Sequence, residues 1–369
     1  MSMAQIEIQL IAAVVAAACA LPGVFLVLRR TAMMSDAISH SILFGIVLAF
    51  FITEDLTSPF LIIAATLTGV LTVSLVELLG KTGLLKEDAS IGLVFPVLFS
   101  IGVILVARYA GDVHLDTDAI LLGELAFAPF NRFEIFGVDI GPKSLWLMSG
   151  IFLIDALFIF LFYKELKLST FDSALAASLG FAPGMIHYAL MTLVSITAVG
   201  AFDAVGSILV VALMVAPPAS AYLLTDRLKW MLLLSVGLGI AGALSGFWIA
   251  TLFDVSISGA MASMSGVVFL LIFLFAPDRG LIAAARRKMR QRWEFAQTML
   301  AIHLFTHEGL PEANRENRFD HLDEHLRWNE PFSRRVVSLA EKNGLLRQTN
   351  GFLELTPSGR ENARKAIVR

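Results

Sequence analysis

An aspartate and a histidine four residues apart are the first side chains in this sequence whose types and spacing suggest chemistry. Asp36 and His40, in Arg29-Arg30-Thr31-Ala32-Met33-Met34-Ser35-Asp36-Ala37-Ile38-Ser39-His40, share one helical face, with Ser39 beside it. A carboxylate and an imidazole so placed can hold one divalent ion through oxygen and nitrogen. The same pair also fits a structural role, with Asp36 capping the helix against its N-terminal dipole and His40 bonding to a neighbour. Ionisable groups at membrane depth are costly and mark transport paths, which favours the chemical role. Asp203 falls in Gly200-Ala201-Phe202-Asp203-Ala204-Val205-Gly206, read as a tight connection between two apolar runs. It is either a cap at an interface or a third ligand from the partner face of the bundle. Glu124, in Leu122-Gly123-Glu124-Leu125, is a weaker candidate, and His114, Asp116 and Asp118 read as a solvated outer loop. His187 and Asp155 lie in apolar runs without a local partner and read as packing or hinge positions. Cys19 is the only cysteine, which excludes a disulfide framework and a thiolate metal cluster. Its Ala-rich surroundings make it a small buried hydrophobe.

The elements that must position these groups are apolar. The 369 residues are 57% hydrophobic and 16% charged, against roughly 25% charged in soluble domains. Segments of about 20 apolar residues predict nine spans, at 6–28, 34–53, 59–79, 90–108, 145–163, 179–200, 204–224, 230–251 and 257–276. Lys and Arg cluster in alternate connections: Arg29 and Arg30, Lys81 and Lys86, Lys164 and Lys167, Arg227 and Lys229. The connections around Glu54–Asp55, Gly200–Asp203 and Asp254–Ser258 carry none. Positive charge favours the cytoplasmic side, so the pattern predicts an outside N-terminus and a cytoplasmic C-terminus in the inner membrane. Residues 1–10 carry no Lys or Arg, so the first helix is expected to stay rather than be cleaved as a signal peptide. The polar stretch 109–144 reads as an outer loop with a short re-entrant or surface helix at 117–128, and no internal repeat is visible. Pro22-Gly23, Pro96, Pro183-Gly184 and Pro217-Pro218 interrupt the spans, where freed backbone groups can line a path. The segment 164–178 has helical composition and is either a docking helix for a partner or a surface turn. No Gly-x-x-x-x-Gly-Lys-[Ser/Thr] loop occurs, so ATP-driven work must borrow an ATPase.

Four stretches resemble the permease family of metal-ion ABC importers, which take up manganese, zinc or iron from an external binding protein. Met34-Ser35-Asp36-Ala37-Ile38-Ser39-His40 is similar to the family's Gly-Asp-Ala-Leu-Ser-His motif, with Ser35 in place of the usual Gly. Leu122-Gly123-Glu124-Leu125-Ala126-Phe127 resembles its outer-loop Leu-x-Gly motif, and Phe171-Asp172 through Ala176 and Gly180 resembles the region that engages the ATPase. Asp203 through Ala212, with Pro217-Pro218-Ala219, resembles its most regular block. The resemblance covers residues 6–285. It implies two cytoplasmic ATPase subunits, an extracytoplasmic metal-binding protein and a second permease in a homo- or heterodimer. It makes Asp36 and His40 the foremost metal-path ligands, then Asp203, with Glu124 weaker, and Phe171, Asp172, Ala176 and Gly180 the coupling residues. The cargo it implies is manganese first, then iron or zinc, and no resident cofactor.

The composition changes near Pro277. From Arg279 onward there are 17 Lys and Arg against 11 Asp and Glu. The expected domains are therefore a transmembrane permease domain at 1–285 and a small α+β domain at 290–369. In the latter, helices are expected at 292–308, 319–328 and 331–344, followed by two short strands around Asn350-Gly351 and a closing helix near Ser358. That order resembles the winged-helix domain of metal-dependent repressors. The basic balance suits nucleic acid and equally the anionic lipid surface, so a membrane-tethered metal-responsive regulator is the alternative reading of the chain. His303 and His307 lie four apart, and His321-Leu322-Asp323-Glu324-His325 has the spelling of an inverted zinc-protease motif. Protease, regulatory metal site and solvated helix face stay open for these histidines, since a third ligand is not evident from sequence.

Overall fold

The computed structural model describes residues 2–55, 58, 60–109, 125–135, 138–322 and 326–367. They fall into two compact units, Met1–Gly280 and Leu281–Arg369. Among the described residues of the first unit, nine helices are long and apolar enough to cross a membrane. They are α1 (Met3–Leu28), α2 (Met33–Thr53), α3 (Phe60–Lys81), α4 (Glu87–Tyr109), α5 (Lys143–Leu161), α8 (Pro183–Val205), α9 (Ser207–Leu224), α10 (Leu228–Phe253) and α11 (Ile257–Phe275). Two short helices, α6 (Tyr163–Phe171) and α7 (Ser173–Ser178), lie between α5 and α8.

Helix ends follow local chemistry. The Ser2 hydroxyl and the Gln5 side chain cap α1 reciprocally. The span expected at 179–200 is shifted: Pro183 opens α8 in its first turn, where a missing N–H costs nothing, and the helix continues to Val205. Gly206, at φ 78°, alone separates α8 from α9. Asp203 therefore lies in the last turn of α8 rather than in a connection, because Gly200 stays helical and packs against Ile151 and Met148. The segment expected as one docking helix is two, broken at Asp172, whose carboxylate accepts from the Leu175 backbone N–H at 2.9 Å and caps α7. In the region expected as an irregular outer loop, Arg132–Ile135 (β1) and Val138–Pro142 (β2) pair as an antiparallel hairpin. The Asp116, Asp118 and His114 positions, Glu124 and most of the helix expected at 117–128 lie outside the described residues.

Spans alternate in direction, so the basic connections share one end of the bundle, and contacts between distant segments agree. At the opposite end Arg132 pairs with Glu7 at 3.2 Å, and at the basic end Arg279 reaches the Tyr222 carbonyl at 2.9 Å and pairs with Asp226. The core centres on α1, whose residues from Val15 to Leu26 are buried among α5, α8, α9 and α10. Small residues allow this: Gly23 lies directly against the Met214 backbone of α9, leaving no room for a methyl group. Helix α2 packs on α3, α4, α8 and α9.

Polar side chains inside the bundle are joined in pairs. The Thr72 hydroxyl donates to Ser41 Oγ at 2.7 Å, linking α3 to α2. The Thr197 hydroxyl donates to Asp155 Oδ2 at 2.9 Å, linking α8 to α5. Asp155 is fully buried, and its partner is not local but lies 42 residues away.

In the second unit, α12 (Leu281–His307) is followed by α13 (Ala313–Glu316) and a 3-10 turn at Phe319–His321; Leu322 and Leu326, within the helix expected at 319–328, are helical. Residues 323–325 lie outside the described set. Then come α14 (Glu330–Lys342), β3 (Leu346–Thr349), β4 (Phe352–Leu355) and α15 (Pro357–Ile367). The strands pair around Asn350 and Gly351, both at positive φ, as a two-residue turn requires. This hairpin is the unit's only sheet among its described residues. Leu300, Leu304, Leu322, Val336, Val337, Leu346 and Leu353 form its core.

Thr197→Val keeps the shape of the side chain but removes the donor to a buried carboxyl, which should destabilise the bundle by about 1–3 kcal/mol. Thr197→Ser should behave as wild type. Detergent-solubilised protein followed through thermal or denaturant unfolding checks both; a valine variant as stable as the parent would show that the α5–α8 link is dispensable.

Candidate functional site

The turn that delivers α2 to the site is built by Arg29 and its neighbours. Arg30 has φ 63°, and the Thr31 N–H bonds back to Leu26 O at 2.9 Å, closing α1 within two residues of the start of α2. Asp36 then stands in the first turn of α2 and His40 one turn on, with Nε2 to Oδ1 at 3.3 Å. Their side chains are 43% and 29% exposed. The imidazole stacks on Phe95 of α4 at 5.7 Å between ring centroids and meets the edge of Phe99 at 6.0 Å. Ser39 and Ser35 are buried, each hydroxyl spent on a backbone carbonyl of its own helix, at 2.8 Å. The Asp36–His40 pair offers one oxygen and one nitrogen on a face only partly covered by its own chain.

Asp203 is not brought to this pair. It lines a separate cavity of about 350 Å³ at the end opposite the basic loops, with Ser58, Asn131 and Lys143 as the other polar lining groups and Ile42, Ile46 and Leu61 among the apolar ones. The Lys143 side chain there is a charge complement to Asp203. Among the described residues, no three His, Cys, Asp or Glu side chains of this first unit cluster closely enough to ligate one ion.

A second polar constellation, at the basic end, was not foreseen. The Arg29 guanidinium donates to Ser169 Oγ at 2.9 Å and Thr170 Oγ1 at 3.1 Å in α6, and contacts His187 Nδ1 in α8 at 3.0 Å. His187 Nε2 lies 2.6 Å from Glu77 Oε1 in α3, and the Tyr188 hydroxyl donates to Glu77 Oε2 at 2.7 Å. Lys81 stands 3.8 Å from the same carboxylate. Burial pulls the Arg29 guanidinium below the usual arginine range. His187, expected as a packing or hinge position without a local partner, has distant ones: it bridges a cation at the end of α1 and a carboxylate of α3. The only sequence signal was the polarity of Arg29, Glu77 and His187 at the ends of apolar runs. This network fixes α6, and with it the α6–α7 corner. There Phe171 is 62% exposed and Asp172 is exposed, while Ala176 is buried and Gly180 turns the chain at φ 87°.

Among the described residues, nine helices long and apolar enough to span a membrane, a polar pair half-open on one of them and a pair of short helices at the basic end define a polytopic membrane protein of the ABC permease fold. Residues 4–276 match the ABC 3 transport family, and the chain belongs to it. It is 48% identical over 353 residues to the zinc transport system membrane protein TroD of Treponema pallidum, covering 96% of each chain. It is 47% identical over 282 residues to the manganese transport system membrane protein MntD of Bacillus subtilis, covering 76% of this chain and 95% of the relative. The solved structure of PsaBC from Streptococcus pneumoniae in complex with Fab superposes with a TM-score of 0.62 at 28% identity, covering 76% of this chain and 94% of that one. The TroD alignment is too long to leave the second unit outside it.

Arg29→Ala should cost about 1.5–3 kcal/mol, as expected for lost hydrogen bonds to a charged group. Arg29→Lys should recover little of it, because three acceptors in two helices need the guanidinium fork. Thermal midpoints of the purified variants check this; full rescue by lysine would show that charge alone, and not the fork, sets the corner.

Proposed function

We propose that the chain is the membrane-spanning passage of an ATP-driven importer for a divalent transition metal, entering at the end that bears Asp203 and leaving past Asp36 and His40. The observation that carries this reading is the Asp36–His40 pair in the first two turns of an apolar helix, 43% and 29% exposed within its own chain, since ionisable groups in spanning helices mark transport paths. A second permease, identical or related, packed over that face would remove the exposure and bring a second such pair to the passage. The α6–α7 corner, with Phe171, Asp172, Ala176 and Gly180, serves as the docking point for a cytoplasmic ATPase, and an extracytoplasmic metal-binding protein delivers cargo at the opposite end. This places the protein in the inner membrane with its N-terminus outside and its C-terminus in the cytoplasm, as the basic loops favour. Chemistry within this chain is then ion passage, with hydrolysis left to the partner.

Manganese is the favoured cargo, with iron or zinc behind it, because the donors are oxygen-rich and thiolate-free. Relatives named for zinc and for manganese are nearly equally similar, at 48% and 47% identity, so the preference rests on donor chemistry. Glu124 is retained as a weaker ligand at the entrance. For the second unit we infer a winged-helix-like arrangement, supported by the order α14, hairpin, α15, with lipid headgroups or nucleic acid as its partner surface. The alternative function, a membrane-tethered metal-responsive regulator, would act through that unit.

Asp36→Asn combined with His40→Ala should abolish manganese uptake by cells expressing the assembled importer at normal level, while Asp203→Asn should reduce it less. Undiminished uptake by the double variant would remove the ligand assignment. Truncation before residue 290 separates the alternatives: uptake kept with loss of gene control supports the regulator.

A further inference from the structure

The second unit supplies the third ligand that sequence did not. His303 and His307 sit one turn apart on α12, on the flank of the face that buries Leu300 and Leu304. Their ring centroids are 4.9 Å apart. The chain leaves α12, turns through Gly309 at φ 80°, and returns in α13, which places the buried side chain of Glu316 against both rings. One ligand-capable atom from each of His303, His307 and Glu316 lies within 4.8 Å of the other two. Among the described residues, this is the only group of three His, Cys, Asp or Glu so close.

We propose that His303, His307 and Glu316 form a divalent transition-metal site within the second unit, separate from the transport path. The donor set is two imidazole nitrogens and one carboxylate oxygen, a combination that zinc and its neighbours take with a further position left for water. Bringing the donors onto one ion needs small side-chain rotations, since ligands at about 2.0–2.2 Å from zinc stand closer together than these do. A second shell is already in place. His303 Nε2 lies 3.3 Å from the Glu316 carbonyl, so its N–H can donate there and leave Nδ1 as the metal-facing nitrogen. The ion would cross-link the end of α12 to α13 and close the turn between them. Nitrogen-rich ligation follows the affinity order in which zinc and cobalt exceed manganese. Zinc or cobalt is therefore the stronger occupant here, with manganese the weaker.

The test is cobalt and zinc titration of the full-length chain in detergent, carrying Asp36→Asn and His40→Ala so that the transport pair is silent. One equivalent with visible d–d absorption is expected, with manganese binding it more weakly. His307→Ala should weaken that equivalent by more than the roughly 10–100-fold that an outer-shell partner is worth. Glu316→Gln, nearly the same shape, should do likewise while near-ultraviolet circular dichroism from Trp293 and Trp328 stays unchanged. If the alanine variant unfolds the unit, the glutamine variant gives the answer by the same reading. Unchanged cobalt binding in Glu316→Gln, or no bound equivalent in the parent, overturns the site.

Discussion

A guanidinium withdrawn from water sets the constraint around which the basic end of the bundle is organised. Arg29 follows the last residue of α1, the most enclosed span, so its charge cannot reach solvent freely. Leaving such a cation uncompensated would cost several kcal/mol. Ser169 and Thr170 supply acceptors, and His187 relays to Glu77, so α1, α3, α6 and α8 are held at one point. The consequences run in two directions. One is outward, to the α6–α7 corner, whose orientation follows from α6. The other runs along the chain, through the two-residue turn from α1 into α2, which sets where Asp36 and His40 can stand. Both segments to which the proposed function assigns roles thus depend on a single solvation problem.

Between those ends the bundle has no hydrophobic drive for helix association once it is in lipid, so close backbone approach and paired hydroxyls hold it together. Helix α2 illustrates this. Gly69 of α3 lies against Ile38 of α2 and Ser195 of α8, and the Thr72–Ser41 hydrogen bond continues the same seam. One side of α2 is therefore fixed by small residues and hydroxyls. The other carries His40 against Phe95 and Phe99, aromatic faces that can shift without breaking a hydrogen bond. A pair of ligands mounted on a rigid seam but facing an adaptable wall can bind an ion and release it.

What the sequence discloses depends on how local each signal is. Hydropathy and loop charge are local, and the nine spans and their alternation follow from them. The Asp36–His40 spacing is local as well, and so is the Asn350–Gly351 hairpin. The Arg29–His187–Glu77 network joins residues more than 100 positions apart, and single-chain spacing carries no trace of it. Asp203 was misplaced because Gly200 and Gly206 look alike in sequence. Only Gly206 adopts positive φ, while Gly200 stays helical with the tip of the Ile151 side chain packed against it. Glu316 is missed for the same reason as Glu77: its partners His303 and His307 are reached across a turn, with no fixed interval to recognise.

The two ligand groups differ in a way that suits different tasks. Under the proposed function the passage must let go of its ion, and a half-exposed pair of one oxygen and one nitrogen, incomplete within one chain, suits that. A resident site must hold its ion while free concentrations are low, and two imidazoles with a buried carboxylate serve that end. If both groups had the same donors, the second would merely compete with the cargo. The proposed site in the second unit offers two nitrogens and one oxygen, and the bundle pair one of each, so the former has the larger donor set within one chain.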